Sequence, residues 1–276
     1  MSSDLARRLV PDELWAIVEP LVPEFTPRRQ GGGTAPVDDR AVFTAIVYVP
    51  TSGCAWRHLP AEFGVSVPTA HRRFSAWTSA GLWPRLHRAV LDELGTRGQV
   101  DWASAIVDAA AVRAKKGGTP TGPDPVDRGK KGSKLHLLTD AAGLPLVVAV
   151  PAANVHDSQA LKPLLMALPA IRPRRGPRRR PRRRRPVKVR ADKAYHSAEH
   201  LSWLRGRGIV PRIARPGIES GERLGRHRWA IERTLAWLLG YRRLTVRYER
   251  RGHLFTAFLT LAAAITCHKK LAQLPT

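Results

Sequence analysis

Three acidic residues stand out because they lie beside apolar or alternating stretches in a strongly basic chain. Asp108 follows the apolar run 105–107, Asp192 follows the alternating segment 187–191, and Glu232 lies within a helical apolar pattern. Carboxylates at the ends of neighbouring strands meet at one edge of a sheet, and a packed helix can add a third. Such a cluster repels itself unless a divalent cation neutralises it. Oxygen ligands select Mg²⁺ or Mn²⁺, and two such ions can drive phosphodiester chemistry.

Spacing alone leaves ordinary structural roles open for each of these acids. Asp108 could cap the segment that follows it, and Asp192 could pair with a basic neighbour. Glu232 has Arg228 one helical turn before it, which is the spacing of a plain surface ion pair. Other acids compete for a role in such a cluster: Asp101, Asp124, Asp127, Asp140, Asp157, Glu219, Glu222 and Glu249.

The elements that must position these acids are predicted in the part of the chain after residue 100. Apolar or alternating runs predict strands, and apolar residues at helical spacing predict helices. The predicted strands are 105–108, 134–140, 144–150, 187–192 and 209–213, and the predicted helices are 154–168, 197–207, 223–239 and 254–271. Strands followed by alternating helices and strands are typical of an α/β domain with a mixed sheet.

The first 100 residues are predicted to be helical and to form a separate small domain. Within them, segment 59–77 has a short helix, a turn at Gly64 and a second helix, which is a helix-turn-helix pattern. Arg72 and Arg73 would then contact DNA, and Phe74 and Trp77 would pack inward. An ordinary helical hairpin with a solvated basic face has the same pattern. A helix ending at Pro50 is expected just before it.

The charge of the chain indicates a polyanionic partner. It carries 47 Lys and Arg against 22 Asp and Glu, for a net charge of +25. Segment 172–190 holds eleven arginines and one lysine, interrupted by prolines, so residues 172–186 are predicted to form a flexible, solvated loop. That loop either binds phosphates or is a low-complexity insertion. The run therefore indicates nucleic acid but no particular chemistry.

Other classes of protein are disfavoured. Two cysteines, Cys54 and Cys267, cannot form a disulfide framework and have no metal-ligand spacing. The first residues lack the apolar core of a signal peptide. The longest apolar run, 254–266, is shorter than a membrane span. We therefore expect a cytoplasmic protein without a membrane partner.

Several short stretches, taken together and in order, resemble bacterial insertion-sequence transposases of the DDE type, in the insertion-sequence-five group. The resemblance covers about residues 10–272. The matching stretches are Gly53–Pro60, Ile106–Asp108, Gly129–Lys134, Ala153–Asp157, Ala191–Tyr195, Arg228–Thr234 with Trp237, Arg242–Leu244 and Arg247–Tyr248. Related groups carry a Tyr and a basic residue where this chain has Gly225 and Leu239, and Arg242 and Arg243 are the candidates to replace that base.

The resemblance implies a ribonuclease-H-like catalytic domain at 101–276, behind a helical DNA-binding domain at 1–100. It implies that Asp108, Asp192 and Glu232 are the catalytic residues and hold two Mg²⁺ ions, with Mn²⁺ as an alternative. The enzyme would cleave DNA at the ends of an insertion sequence and join the freed 3′-OH to target DNA. Residues expected to contact that DNA, besides the two arginines of the helix-turn-helix, are Lys130, Lys131, Lys134, Arg228, Arg242 and Arg243.

Synapsis of two DNA ends implies a homodimer or higher oligomer, associated with the nucleoid when it is bound to DNA. Two other functions remain open at this point. A degenerate or domesticated transposase would bind DNA without catalysis, and a nuclease of the same fold would cleave without joining. His156 and Asp157 are expected to start a helix, and the tryptophans Trp56, Trp77, Trp229 and Trp237 are expected in the core.

Overall fold

A computed structural model describes residues 2–25, 37–174, 186–215 and 221–274, without the side chains of residues 2, 3 and 221–227. Among the described residues, five α-helices precede the first strand: α1 (Ser2–Leu9), α2 (Asp12–Val18), α3 (Asp39–Ser52), α4 (Val67–Ser79) and α5 (Leu82–Thr96). Most of the predicted arginine-rich loop, 175–185, lies outside the described residues.

The remaining chain alternates strands and helices. The strands are β1 (Ala105–Arg113), β2 (Gly122–Pro123), β3 (Lys131–Asp140), β4 (Pro145–Ala149), β5 (Lys188–Ala191) and β6 (Val210–Ile213). The helices are α6 (Ser158–Met166), α7 (Ala198–Arg205), α8 (Gly221–Leu239) and α9 (Gly252–Ala272). The predicted strands and helices of this region are therefore present, with shifted ends.

The strands form one mixed sheet with β1 at its centre. β3 pairs antiparallel with β1, and both β2 and β4 pair antiparallel with β3. On the other side, β5 pairs parallel with β1 and β6 pairs parallel with β5. The order β4–β3–β1–β5–β6 is the topology of a ribonuclease-H-like fold, which confirms the predicted fold class.

Strand β1 is longer than the sequence pattern predicts. Asp108 is its fourth residue and not its last, because the strand continues through an alanine-rich stretch to Arg113. Backbone pairing with β3 extends the strand, since Arg113 stands opposite Gly132 at the far end of the ladder. Alanines carry little strand signal of their own, so the neighbouring strand decides the length here.

The helical region differs from the prediction in two places. The first helix of the helix-turn-helix pattern is only a 3₁₀ turn, Ala61–Phe63, before α4. Helix α3 continues past Pro50 to Ser52, since the proline removes only one backbone hydrogen bond of the last turn. The hydroxyls of Thr51 and Ser52 donate to backbone carbonyls of the preceding turn, and Gly53 closes the helix in the left-handed region at φ 76°.

Helix α9 joins the helical region to the sheet. Buried side chains of both parts form one hydrophobic cluster. Phe258 of α9 stacks on Phe74 of α4, with ring centroids 4.3 Å apart. α9 has the length and apolar composition of a membrane span, but its most apolar stretch is 78% buried, as in the core helix of a globular protein. The domain boundary at residue 100 stays a prediction.

Candidate active site

The parallel pairing of β1 with β5 places two of the predicted acids, Asp108 and Asp192, at the same height of the sheet. Ala105 is the register partner of Val189, and Ile106 is the partner of Arg190. The same offset, continued by two residues, sets Asp108 beside Asp192, immediately after β5 ends. Residues at equal positions of adjacent strands share a face of the sheet. The sheet therefore brings these two carboxylates together, as the sequence predicts.

Asp108 lies in an environment that disfavours its charge. Its side chain is 15% exposed, and burial is the main cause that raises the pKa of its carboxyl. The backbone N–H of Ala109 donates to it at 2.8 Å and, like the charge of Arg228, opposes that rise. The charges of Asp192 and Glu232 raise the pKa further. These two couplings show that all three acids lie in one electrostatic neighbourhood.

Asp192 is fixed by a short helical turn. Its side chain accepts a hydrogen bond of 2.9 Å from the backbone N–H of Ala194, and so caps the 3₁₀ helix Lys193–Tyr195. This cap is an ordinary structural role, but it differs from the pairing with a basic neighbour that the sequence left open for Asp192. It holds the carboxylate at the carboxyl end of β5 while a second oxygen remains for a ligand.

Glu232 and Arg228 lie one turn apart on α8. The guanidinium Nε of Arg228 lies 3.5 Å from Oε1 of Glu232, and its NH2 nitrogen lies 3.6 Å from Oδ2 of Asp108. The plain ion pair is therefore present, and the same guanidinium also lies near Asp108. Arg228 connects the acid of the helix to the acid of β1 and offsets part of their repulsion.

The turn between β3 and β4 holds α8 against the sheet. Buried Thr234 donates from its hydroxyl to the carbonyl of Gly143 at 2.6 Å, and Arg233 donates to the carbonyl of Ala142 at 2.7 Å. The turn itself is stabilised by buried Asp140, which accepts hydrogen bonds from the backbone of Ala142 and other residues. These contacts fix the height at which α8 presents Glu232 to the sheet.

The chemical type of the three acids suits a divalent cation, although their side chains are not gathered around one point. All three are carboxylates, and the raised pKa of Asp108 reflects both burial and repulsion that a cation would relieve. Within the described residues, no three acidic, histidine or cysteine side chains lie close enough to ligate one ion. In the structure, the guanidinium of Arg228 lies near the carboxylates of both Asp108 and Glu232 and supplies the positive charge there.

The sequence did not predict a buried polar network that His136, Tyr195 and Asp157 form beside the loop of Asp192. Fully buried His136 on β3 lies 3.4 Å, through Nδ1, from the hydroxyl of Tyr195, and 3.8 Å, through Nε2, from Asp157. Tyr195 follows Asp192 by one 3₁₀ turn, so the network supports the loop that carries the acid. The stretches Ala153–Asp157 and Ala191–Tyr195, noted separately in the sequence, thus meet in space.

Three residues that were predicted to contact DNA have partners inside the protein instead. Lys134 donates to Asp157 at 2.8 Å and to the carbonyl of Val155, because β3 directs its ammonium toward the start of α6. His156 and Asp157 do precede α6, although Asp157 makes no side-chain cap hydrogen bond. The ammonium of Lys134 is therefore engaged within the fold.

Arg73 and Arg243 are buried as well. Arg73 is 8% exposed, 3.3 Å from Asp39 and over the ring of Trp77, because the face of α4 that carries it packs inward. Arg243 is 7% exposed and lies 2.8 Å from buried Glu249. Both guanidinium groups are engaged inside the described fold, and DNA contact at these two residues stays a prediction. The other candidates are at least partly exposed: Arg72, Lys130, Lys131, Arg228 and Arg242.

Two of the four tryptophans expected in the core are exposed. Trp77 is buried and Trp56 is half-buried, whereas Trp229 is 54% and Trp237 is 48% exposed. The indoles of Trp229 and Trp237 flank the guanidinium of Arg233, whose central carbon lies 4.4 and 4.6 Å from the two ring centroids. The spacing of four residues, which places all three on one face of α8, could have indicated this stack.

The fold and the comparisons with known proteins together identify the chain as a metal-dependent enzyme that cleaves and transfers DNA strands. The family model described as “Transposase DDE domain” matches residues 104–267, more than half of the chain. The chain belongs to the DDE transposase family. A second model, “Putative transposase of IS4/5 family”, matches residues 10–87.

Two curated relatives come from Burkholderia cepacia. The “Putative transposase for insertion sequence element IS402” is 46% identical over 163 residues, which are 59% of this chain and 75% of the relative. The “Insertion element IS402 uncharacterized 16.2 kDa protein” is 42% identical over 123 residues, which are 44% of this chain and 84% of the relative.

Among solved structures, the Mos1 strand transfer complex covers 91% of this chain and 83% of its own, at 10% identity and a TM-score of 0.26. The Mos1 paired-end complex with the left transposon end has the same coverage and TM-score at 12% identity. At this TM-score neither likeness adds to the assignment.

Proposed function

We propose that Asp108, Asp192 and Glu232 are the catalytic acids of this transposase and that together they hold two Mg²⁺ ions, for which Mn²⁺ can substitute. The supporting observation is the parallel register of β1 and β5, which sets Asp108 beside Asp192. When bound, the ions would activate a water against a phosphodiester and stabilise the departing 3′ oxygen. Hard carboxylate oxygens suit these cations.

Arg228 has a positioning and charge-balancing role in this proposal. Its guanidinium contacts Asp108 and Glu232 and is partly exposed, so it can exchange a carboxylate for a DNA phosphate. Arginine suits that exchange, because its planar fork binds either group with paired hydrogen bonds. The residue would then hold the scissile phosphate beside the acids.

The DNA substrates in this proposal are the ends of an insertion sequence and a target. Strand cleavage at the ends frees a 3′-OH, which attacks a target phosphodiester in a second step. Phosphate contacts come from exposed Arg72, Lys130, Lys131 and Arg242, while the helical domain 1–100 binds the ends. We propose a cytoplasmic, nucleoid-associated homodimer or higher oligomer, since two ends must be held together.

The test is cleavage of a plasmid that carries the reading frame with its native flanks, in Mg²⁺ or Mn²⁺. Asp192→Asn and Glu232→Gln should abolish discrete cleavage at the flanks, while DNA binding persists. Glu199→Gln is the matched control, since Glu199 is also an exposed helical acid but pairs with Lys162, away from the three acids. Joined products distinguish a transposase from a nuclease. Equal binding without cleavage by the wild type would support the binding-only alternative.

A further inference from the structure

A cavity of about 680 Å³ lies between α8, α9 and the β3–β4 turn, away from the acids. Residues Ala142–Pro145 of the turn line one side. Trp237 and Arg233 of α8 line a second side, and Lys269 and Lys270 of α9 line a third. A cavity of this size accommodates a small organic group such as a single nucleotide.

The lining of this cavity combines positive charge with aromatic surface. Arg233, Lys269 and Lys270 contribute three cations, and no acidic residue is among the described lining residues. Half of Trp237 is exposed at the rim, and the Nζ of Lys269 lies 5.5 Å from the ring centroid of Tyr241. Cations beside exposed aromatic rings are the chemistry that binds unpaired nucleic acid, through phosphate and base together.

Helix α8 connects this cavity to the active site. Arg228 and Glu232 lie on one face of the helix. The adjacent face, rotated by one residue or about 100°, carries Trp229, Arg233 and Trp237. From Arg228 to Trp237 the axis rises about 14 Å. A DNA strand that leaves the acids can therefore cross α8 along the indoles and reach the cavity.

The charge and the aromatic surface of the cavity favour nucleic acid over the other ligands that could bind there. A second copy of this chain carries a net charge of +25 and is repelled by the three cations. An acidic peptide matches the cations but offers no flat ring for the exposed indoles. An apolar ligand leaves Lys269 without an anion, while the charge of Lys270 already acts on buried Asp140.

We propose that this cavity binds one unpaired nucleotide of the DNA substrate, with its base on Trp237 and its phosphate between Lys269 and Lys270. The proposal rests on the proposed function, because it takes DNA as the substrate. The cavity would add a second, non-catalytic contact, which binds the DNA where its strands are unpaired. The contact is independent of the sequence of the DNA, since every base has a face that can stack.

The experiment measures affinity by fluorescence anisotropy, using a labelled single-stranded oligonucleotide and the duplex of the same sequence. Trp237→Ala should weaken single-strand binding about tenfold and leave duplex binding nearly unchanged, because one stacked base is lost. Trp237→Phe should restore most of the affinity. Trp203→Ala is the matched control, since Trp203 of α7 also stacks on an arginine, Arg207, but lies elsewhere.

A second variant guards against misfolding. Lys269 is exposed on α9, and Lys269→Gln should weaken single-strand binding at low salt and flatten its salt dependence by about one counterion. Melting curves of all variants confirm that the fold is kept. Equal losses for both DNA forms, or no loss with either variant, would overturn the proposal.

Failure of this proposal can be told apart from failure of the proposed function. Asp192→Asn abolishes cleavage under the proposed function and should leave the preference for single strands intact. If the wild type cleaves and joins DNA while Trp237→Ala binds single strands normally, only the cavity proposal fails. If the wild type binds neither DNA form, both proposals fail.

Discussion

The NH2 nitrogen of Arg228 lies 3.6 Å from Oδ2 of Asp108, so a helix residue partly neutralises an acid of the central strand. The same guanidinium also contacts Glu232. A divalent cation bound by these carboxylates has to compete with that positive charge. Under the proposed function, Arg228 would therefore lower the affinity of the acids for metal as well as position them.

We expect Arg228→Gln to bind Mn²⁺ about three- to tenfold more tightly than the wild type, since partly exposed ion pairs contribute up to about 1 kcal/mol each. DNA cleavage should fall at the same time, because the phosphate contact is lost. Isothermal titration with Mn²⁺ measures the first effect. Asp192→Asn is the control and should weaken Mn²⁺ binding. Weaker Mn²⁺ binding by Arg228→Gln would contradict this role.

Gly143 is the point of closest approach between the β3–β4 turn and α8. It has φ 89°, and an added Cβ would lie 2.7 Å from the carbonyl of Ala230 and 2.9 Å from the hydroxyl of Thr234. Gly143→Ala should lower the free energy of unfolding by about 2–3 kcal/mol and displace Glu232, which lowers cleavage. Urea denaturation and the plasmid assay measure the two effects.

Gly208→Ala provides the comparison for that variant. Gly208 also has a positive φ, 67°, but an added Cβ meets nothing within 4 Å. Backbone strain alone should therefore cost about 1 kcal/mol, with cleavage unchanged. Equal effects of the two substitutions would show that contact with α8 is unimportant at Gly143.

Arg242 and Arg243 are neighbours with opposite expected roles. Arg243→Met removes the guanidinium that pairs directly with the carboxylate of buried Glu249, leaves it only the charge of Arg247, and should lower the free energy of unfolding by about 3 kcal/mol. Arg242→Met should leave stability unchanged within about 0.5 kcal/mol, since the residue is exposed, and should weaken DNA binding. Urea denaturation and salt-dependent anisotropy separate the two effects.

Replacing both Arg243 and Glu249 tests whether the loss of stability comes from the unpaired carboxylate. Arg243→Met combined with Glu249→Leu should recover part of the lost stability, because the carboxylate of Glu249 is then no longer buried without Arg243. Buried Arg247 also feels the charge of Glu249, but it keeps its hydrogen bonds to the carbonyls of Thr119 and Pro120, so the recovery is only partial. A double variant that is less stable than Arg243→Met alone would assign the loss to packing.

Stability should fall as the pH drops below neutrality, partly through His87. Burial is the main cause that lowers the pKa of His87 from 6.5 to about 4, although its Nε2 donates to the carbonyl of Pro145. The unfolded chain therefore takes up a proton first, and stability present above pH 6.5 is lost as the pH falls toward 4. At about pH 5 the loss through this group is about 2 kcal/mol.

His87→Leu removes that contribution. Urea denaturation at about pH 7.5 and about pH 5 should show a smaller loss for the variant than for the wild type. The difference between the two pH values is the readout, because the hydrogen bond to Pro145 is absent from the variant at both. His136 also has its pKa lowered to about 4 and keeps part of the pH dependence in both proteins. Identical losses would contradict the role of His87.

The sequence predicts the acids better than it predicts the basic residues. Asp192 follows a short alternating strand whose pattern is visible, and the strand before Asp108 is visible too, although its alanine-rich second half is not. Adjacent arginines are harder, since charge gives no indication of which of Arg72 and Arg73 faces inward. The spacing from Arg73 to Trp77, one helical turn, is the signal that places Arg73 on the packed face.

Contacts between distant segments could not be predicted at all. His136 lies on β3, Tyr195 follows β5, and Asp157 precedes α6, so only the folded sheet brings them together. Arg243 lies in a 3₁₀ turn without a helical period, and its partner Glu249 follows in irregular chain. Such pairs depend on tertiary packing, which a periodic pattern does not contain.

The stacking of Phe258 on Phe74 has a consequence for synthesis of the chain on the ribosome. Domains commonly fold as they emerge, the first-made part first. Here the core of the first helices is completed by α9, which is translated after the whole sheet. A nascent chain therefore exposes the apolar face of α4 until α9 has left the exit tunnel, and its helical region and its sheet are completed together.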